Sequence, residues 1–178
     1  MKKVLVVVDM QNDFVDGALG TKEAVLIIDN VVNKIQSFDG DIYVTYDTHT
    51  KDYLNTSEGA KLPVIHCVKD TPGWKLNDKV QEALDKKANY KVYEKPTFGS
   101  VKLAEDLNKL NENEGISEIT FIGLCTGICV ISNAMMAKAY MPEVPINIDA
   151  SCCACVTPDS HKTALDAMQL CQMNIINN

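Results

Sequence analysis

Short, strongly apolar runs alternate with longer stretches whose apolar residues recur at helical spacing, and this alternation holds along the whole chain. The runs "KVLVVVD" (3–9), "DIYVTYD" (41–47), "YKVYEK" (90–95), "EITFIGL" (118–124) and "PINIDA" (145–150) read as strands. The first is apolar enough for a strand buried on both faces. Between them, "AVLIIDNVVNKIQSF" (24–38), "DKVQEALDKK" (78–87), "SVKLAEDLNKLNENEG" (100–115), "GICVISNAMMAKAYM" (127–141) and "TPDSHKTALDAMQL" (157–170) read as helices, with a sixth short strand at "MNII". Ser100 is a natural N-cap and Gly115 a natural stop. Strands alternating with helices predict an α/β fold, a three-layer α/β/α Rossmann-like arrangement on a mostly parallel sheet. With no repeat, linker or low-complexity tract, residues 1–178 are expected to form one domain.

Charge narrows the partners. A formal net charge of −7 and a pI near 4.9 argue against nucleic acid and anionic membrane surfaces, both of which need a basic face. No run approaches the roughly 18 apolar residues of a membrane span, so a cytoplasmic protein with a small-molecule substrate is expected. Seven cysteines without an export signal predict reduced thiols. The densest group, Cys152, Cys153 and Cys155 in "SCCAC", lacks the paired CxxC knuckles of structural zinc and is expected to be buried or loop thiols.

Candidate chemistry collects at the carboxyl ends of the strands, where open parallel sheets form their functional crevice. Asp9 ends the first strand and needs a partner if buried; Lys95, ending the third, can supply one. The stretch "GLCTGICVIS" (123–132) holds Cys125 and Cys129, and the strand-to-helix turn at Gly127 puts Cys129 near a helix start. The dipole there and a nearby ammonium would favour its thiolate. Asp, Lys and Cys together make a nucleophile with a proton carrier. Taken singly, the Asp reads more often as a cap or turn former, the Lys as solvated and the Cys as core; only their joint place at strand ends favours function. A second group, Asp47, His49, Glu58 and His66, offers an oxygen-and-nitrogen donor set suited to zinc, manganese or iron(II); its plainer reading is a capping Asp with satisfied histidines. His161, near the start of the last helix, reads as structural, and Trp74 as packing or rim.

The segments "VVVDMQNDFVDGAL" (6–19), "YDTH" (46–49), "HCVKDTPGW" (66–74), Lys95, "GLCTGICV" (123–130) and "DASCCACVTPDSH" (149–161) give the chain a resemblance that covers nearly its whole length in order. It resembles the isochorismatase-like cysteine hydrolases, and within them the nicotinamidase/pyrazinamidase branch. The resemblance implies an Asp9, Lys95, Cys129 triad, with a cis peptide at Leu124–Cys125 and an oxyanion hole from the backbone N–H groups of Cys125 and Cys129. It implies a divalent metal, zinc foremost with manganese or iron as alternatives, on Asp47, His49, Glu58 and His66, where it holds a pyridine nitrogen and carries water, and Phe14 lining the ring pocket. It also implies deamidation of nicotinamide or pyrazinamide through a thioester, as in NAD salvage, by a homo-oligomer. Two positions differ from common family residues: Thr126 is followed by Gly127 rather than Asp, and Pro63 stands where a Trp is frequent.

Other readings stay open. Within the family, the substrate could be another small amide, carbamoyl compound or ureide. Outside it, strand-end Asp and Lys suit a phosphoacceptor module, which leaves Cys129, His49 and His66 without a task, and a non-catalytic binding protein is the third reading.

Overall fold

The computed structural model describes residues 1–87 and 89–178. In chain order the elements are β1 (Lys2–Val8), α1 (Asn12–Val15), α2 (Lys22–Leu26), α3 (Ile28–Ser37), β2 (Asp41–Asp47), α4 (Ser57–Lys61), α5 (Asp78–Asp85), β3 (Tyr90–Lys95), α6 (Val101–Glu114), β4 (Ile116–Leu124), α7 (Ile131–Tyr140), β5 (Ile146–Ala154), α8 (Pro158–Leu170) and β6 (Asn174–Ile176). A single 3₁₀ turn, Tyr53–Asn55, precedes α4. The sheet order is β3-β2-β1-β4-β5-β6 and every pairing is parallel.

The two-residue period of β1 divides the core. Val4, Val6 and Val8 face Leu103 and Leu107 of α6, Ala134 and Ala137 of α7, and Leu165 and Met168 of α8. Leu5 and Val7 face Ile28, Val31 and Ile35 of α3 and Val80, Ala83 and Leu84 of α5. Helices therefore cover both faces, as parallel sheets require. Each Val, Leu or Ile fully buried this way contributes about 1.5–3 kcal/mol.

Three stretches differ from the sequence expectation. The helix expected over 24–38 is two: Ile27 leaves helical geometry at ψ −8°, and α3 starts afresh. The apolar period runs on through the break, so nothing in the pattern marks it. The helix expected from 127 begins as a π-type turn over Thr126–Val130, with the regular helix starting only at Ile131. "SCCA" belongs to β5, which pairs Cys153 with Gly123 and Ala154 with Leu124; these thiols are buried strand residues.

Chain order reverses beside β1, which lies between β2 and β4. The crevice expected at such a switch point opens past Val8 and Leu124. Gly123 lets these strand ends approach: its φ is +114°, and a Cβ there would overlap the Val8 carbonyl.

Candidate active site

Beyond the last β1 residue the chain turns sharply. Asp9 has φ +47°, an uncommon value for a residue with a Cβ, and its side chain is completely buried. Thr45 of β2 donates its hydroxyl to Asp9 Oδ1 at 2.6 Å, and Lys95 Nζ lies 2.7 Å from Asp9 Oδ2. The same ammonium reaches Cys129 Sγ at 3.6 Å and Asp47 Oδ1 at 3.4 Å. Lys95 is itself 1% exposed, so one desolvated cation joins the ends of β1, β2 and the turn after β4.

Burial sets the electrostatics. It would lower the Lys95 pKa, but Asp9, Cys129 and Asp47 outweigh it and hold the ammonium charged. Burial raises Asp9 above its ordinary value despite Lys95. It also raises the Cys129 thiol, with Asp9 adding to the effect and Lys95 opposing it. The depressed thiol expected from a helix start is thus reversed in the resting site, because Cys129 lies within the π turn and is desolvated.

Asp47, His49 and His66 offer ligand atoms that all lie within 4.8 Å of one another. His66 Nδ1 lies 2.8 Å from the Val64 carbonyl. With a proton on Nδ1 for that bond, the Nε2 lone pair faces Asp47 Oδ2 at 3.5 Å and Glu58 Oε1 at 3.9 Å. His49 Nε2 is 2.8 Å from Asp47 Oδ2 and 3.7 Å from Glu58 Oε1. It is buried without a properly aligned hydrogen bond among the described residues. Imidazole lone pairs and carboxylate oxygens converging in this way call for a cation, and the set fits a divalent metal. Without one, proton uptake is the alternative: Asp47 and Glu58 overcome the effect of burial and raise His66. Burial and Asp47 raise Glu58, which stands at the rim.

Gln11, Asp13, Tyr53 and Asn133 carried no sequence signal strong enough to single them out. Gln11 accepts from the Asp47 N–H at 2.8 Å and donates to the Asp47 carbonyl at 2.8 Å, fixing that ligand's backbone on both sides. Asp13 accepts from the Cys67 N–H at 2.7 Å and so holds the loop bearing His66. Tyr53 packs against the rings of both His49 and His66 and donates to the Leu62 carbonyl at 3.0 Å. Asn133 Nδ2 donates to the Cys129 carbonyl, and its Oδ1 accepts from Ser100 N–H. His161, read as structural, pairs its Nδ1 with Thr126 Oγ1 at 2.7 Å. Trp74 packs on Tyr46 and donates to Thr48.

A cavity of about 50 Å³ joins the two groups, lined by Phe14, Asp47, Glu58, His66, Cys125 and Cys129 among others. It meets an outer groove of about 520 Å³ along Leu62, Phe98 and Ile128. Phe14 stands 5.4 Å from the His66 ring, and Phe98, 46% exposed, lines the same cavity. The Leu124–Cys125 peptide at the cavity wall is cis.

An isochorismatase domain model matches residues 3–178. The chain is 25% identical over 168 residues to a nicotinamidase of Schizosaccharomyces pombe, with 76% of each protein covered. The crystal structure of a nicotinamidase/pyrazinamidase from Bacillus subtilis superposes with a TM-score of 0.84 at 28% identity, covering 98% of this chain and 99% of that one. The fold is also that of the Pyrococcus horikoshii pyrazinamidase solved in complex with zinc, at TM-score 0.79 and 24% identity over the full length of both chains.

Proposed function

The chain belongs to the isochorismatase family, and from that premise we propose that it is a cysteine amidohydrolase releasing ammonia from nicotinamide or pyrazinamide. The observation that carries this reading is the position of Lys95 Nζ, 2.7 Å from Asp9 Oδ2 and 3.6 Å from Cys129 Sγ, beside an apolar-walled cavity. The names of the Schizosaccharomyces and Bacillus relatives support the substrate.

In this reading Asp9 takes the proton from Cys129 as the sulfur attacks the amide carbonyl, and Lys95 stabilises the developing negative charge. The N–H groups of Cys125 and Cys129 receive the tetrahedral oxyanion; one such donor is typically worth about 2.7–4 kcal/mol. Asp9 then gives its proton to the departing nitrogen, ammonia leaves, and a thioester remains on Cys129. Water entering from the groove cleaves the thioester with Asp9 as base, freeing the acid and the thiol. The raised pKa of Asp9 suits both halves of this cycle, since a carboxyl must accept and return a proton near neutral pH.

Asp47, His49 and His66 would hold a divalent metal, with Glu58 at the fourth side and zinc the first choice. Bound there, it supplies Lewis acidity toward a ring nitrogen or a water. Phe14 and Phe98 supply apolar walls for a flat heteroaromatic ring where Pro63 contributes no indole. A cytoplasmic place and a homo-oligomeric state belong to the same proposal; no helix among the described residues is long and apolar enough to cross a membrane.

The test is ammonia release from nicotinamide by the wild type and Cys129→Ala, beside a panel of small amides and carbamoyl compounds. Release from nicotinamide that disappears in the variant supports the reading. Cys129-independent release removes the mechanism, and Cys129-dependent release confined to a carbamoyl compound moves the substrate.

A further inference from the structure

Two features remain outside the proposed chemistry: the cysteines of "SCCAC" and the glycine that follows Thr126. They meet in space. β5 runs on through Ala154, which delivers Cys155 to the back of the turn that carries Cys129. A Cβ on Gly127 would stand 3.5 Å from Cys155 Sγ, an ordinary contact, and 3.3 Å from the Ala164 Cβ, so the Cys155 sulfur lies directly against the turn at Gly127.

The surroundings of Cys155 are those of an anion. The register that pairs Gly123 with Cys153 and Leu124 with Ala154 brings Cys125 alongside Cys155, and the Cys125 thiol, Ser160 and the backbone N–H groups of Gly127 and Val156 favour negative charge on the Cys155 sulfur. Ser160 lies in the first turn of α8, held there by its capping box with Thr157. These donors, the Cys125 thiol foremost, outweigh burial and bring Cys155 down to about 5, while the same contact and burial push Cys125 far up. A thiolate therefore faces a thiol. His161, bonded to Thr126, lines the same cavity as Cys155 together with Glu23, and Cys155 opposes the lowering of His161 by burial.

Cys155 also has its own access. With His161 it lines a cavity of about 220 Å³, walled by Leu26, Ile27 and Pro158, that shares no lining residue with the cavity at Cys129. Cys125 reaches the other way, into the wall of the Cys129 cavity. The pair thus bridges two separate spaces through the strand-to-helix turn.

We propose that Cys155 is a second reactive cysteine, attacked by small peroxides entering its own cavity, and that it then closes a disulfide with Cys125 which halts turnover at Cys129. In the first step the Cys155 thiolate attacks one peroxide oxygen, the O–O bond breaks and hydroxide leaves, giving a sulfenic acid. In the second the Cys125 sulfur attacks the Cys155 sulfur, the S–O bond breaks, and the Cys125 proton leaves with the hydroxyl as water. One peroxide is reduced and two thiols are oxidised. Disulfide formation rests on the placement of this pair and its electrostatics, independently of the amidase reading. The loss of turnover rests in addition on the amidase reading, because drawing Cys125 toward Cys155 moves the backbone N–H assigned there to the oxyanion.

The experiment is hydrogen peroxide treatment of the purified full chain, followed by peptide mapping without reduction and by ammonia release before and after dithiothreitol. A peptide linking Cys125 to Cys155 is expected, with activity that falls as the link forms and returns on reduction. Cys155→Ser is expected to keep its basal activity and to inactivate at least about tenfold more slowly, since a serine supplies no thiolate. Mapping on the wild type needs no variant, so a poorly folding Cys155→Ser would not disarm the test, and Cys155→Ala is the second variant. A link between Cys125 and Cys129, oxidation confined to Cys129, or unchanged inactivation in the Cys155 variants would overturn the proposal. A Cys125–Cys155 link in a protein without amidase activity would instead remove the function assigned above and leave the reactive pair standing.

Discussion

Lys95 Nζ stands 2.7 Å from Asp9 Oδ2 with both side chains sealed from solvent, so each charge depends on the other. Breaking such a pair by removing one member typically costs about 3–5 kcal/mol, because an uncompensated charge stays buried. Lys95→Met is expected to lower stability by that order and to abolish turnover. Asp9→Asn combined with Lys95→Met is expected to recover much of the stability and none of the activity. Urea unfolding with parallel ammonia assays checks this; a double variant no more stable than Lys95→Met would show that the pair is not what burial makes costly.

Metal removal gives the second prediction. The facing lone pairs of His49 and His66 and the oxygens of Asp47 and Glu58 are expected to bind zinc, and a ligand at 100 times its Kd stabilises the folded state by about 2.7 kcal/mol. Chelation is therefore expected to lower the melting temperature and turnover while leaving the far-ultraviolet circular dichroism intact. His66→Ala should lose most of the zinc-dependent increase. Full activity in metal-free protein would remove the role given to these residues.

Asn133 is predicted to set the position of the nucleophile. Its Nδ2 donates to the Cys129 carbonyl at 2.8 Å and to the Phe98 carbonyl at 3.2 Å, and its Oδ1 accepts from Ser100 N–H at 2.9 Å. It thus ties the loop after Lys95 to the turn after β4. Asn133→Leu leaves buried polar groups without partners at about 1–3 kcal/mol each. A lower melting temperature is expected, with kcat reduced more than KM. An unchanged kcat in folded protein would reduce Asn133 to a purely structural tie.

How far these features could be read from the chain depends on their length and on whether a residue type announces its role. β2 and β3 span the residues expected of them, β2 because a strand buried in a parallel sheet needs a continuous apolar run, and β3, the largely exposed edge strand, because of its aromatic and β-branched residues. Asp9, Asp47 with His49, Lys95 and Cys129 stood out as reactive side chains at strand ends, with His66 in the loop beyond, and the fold brings them together at one crevice. α1, α4 and the turn at Tyr53–Asn55 are too short for a period to show, although Thr56, whose hydroxyl accepts from Gly59 N–H, is a cap that could have marked α4. Gln11, Asp13 and Asn133 escaped because their work is to bind backbone groups far along the chain, and an amide or carboxylate side chain looks the same whether it does so or faces water. The extension of β5 through "SCCA" was hidden by the polar Ser151 and by the register shift in β4 between Phe121 and Gly123.

The last prediction concerns acid. Asp149 of β5 is 1% exposed; burial would raise its pKa, but Lys34 at 2.7 Å, Asn177 and Ser151 outweigh it and hold the carboxyl below its ordinary value. A group depressed in the folded state binds its proton more readily when the chain unfolds. Its stabilising contribution is therefore complete above the unfolded pKa of about 3.9 and is lost as pH falls through the lower folded value. Asp149→Asn should thus be less stable than the wild type at pH 7, and the gap should narrow once the pH drops below about 4. Other carboxylates titrate in the same range, so the informative quantity is the difference between the two melting curves measured at each pH. A gap that stays constant from pH 7 to pH 3 would show that the contribution of Asp149 comes from its neutral hydrogen bonds and shape rather than from its charge beside Lys34.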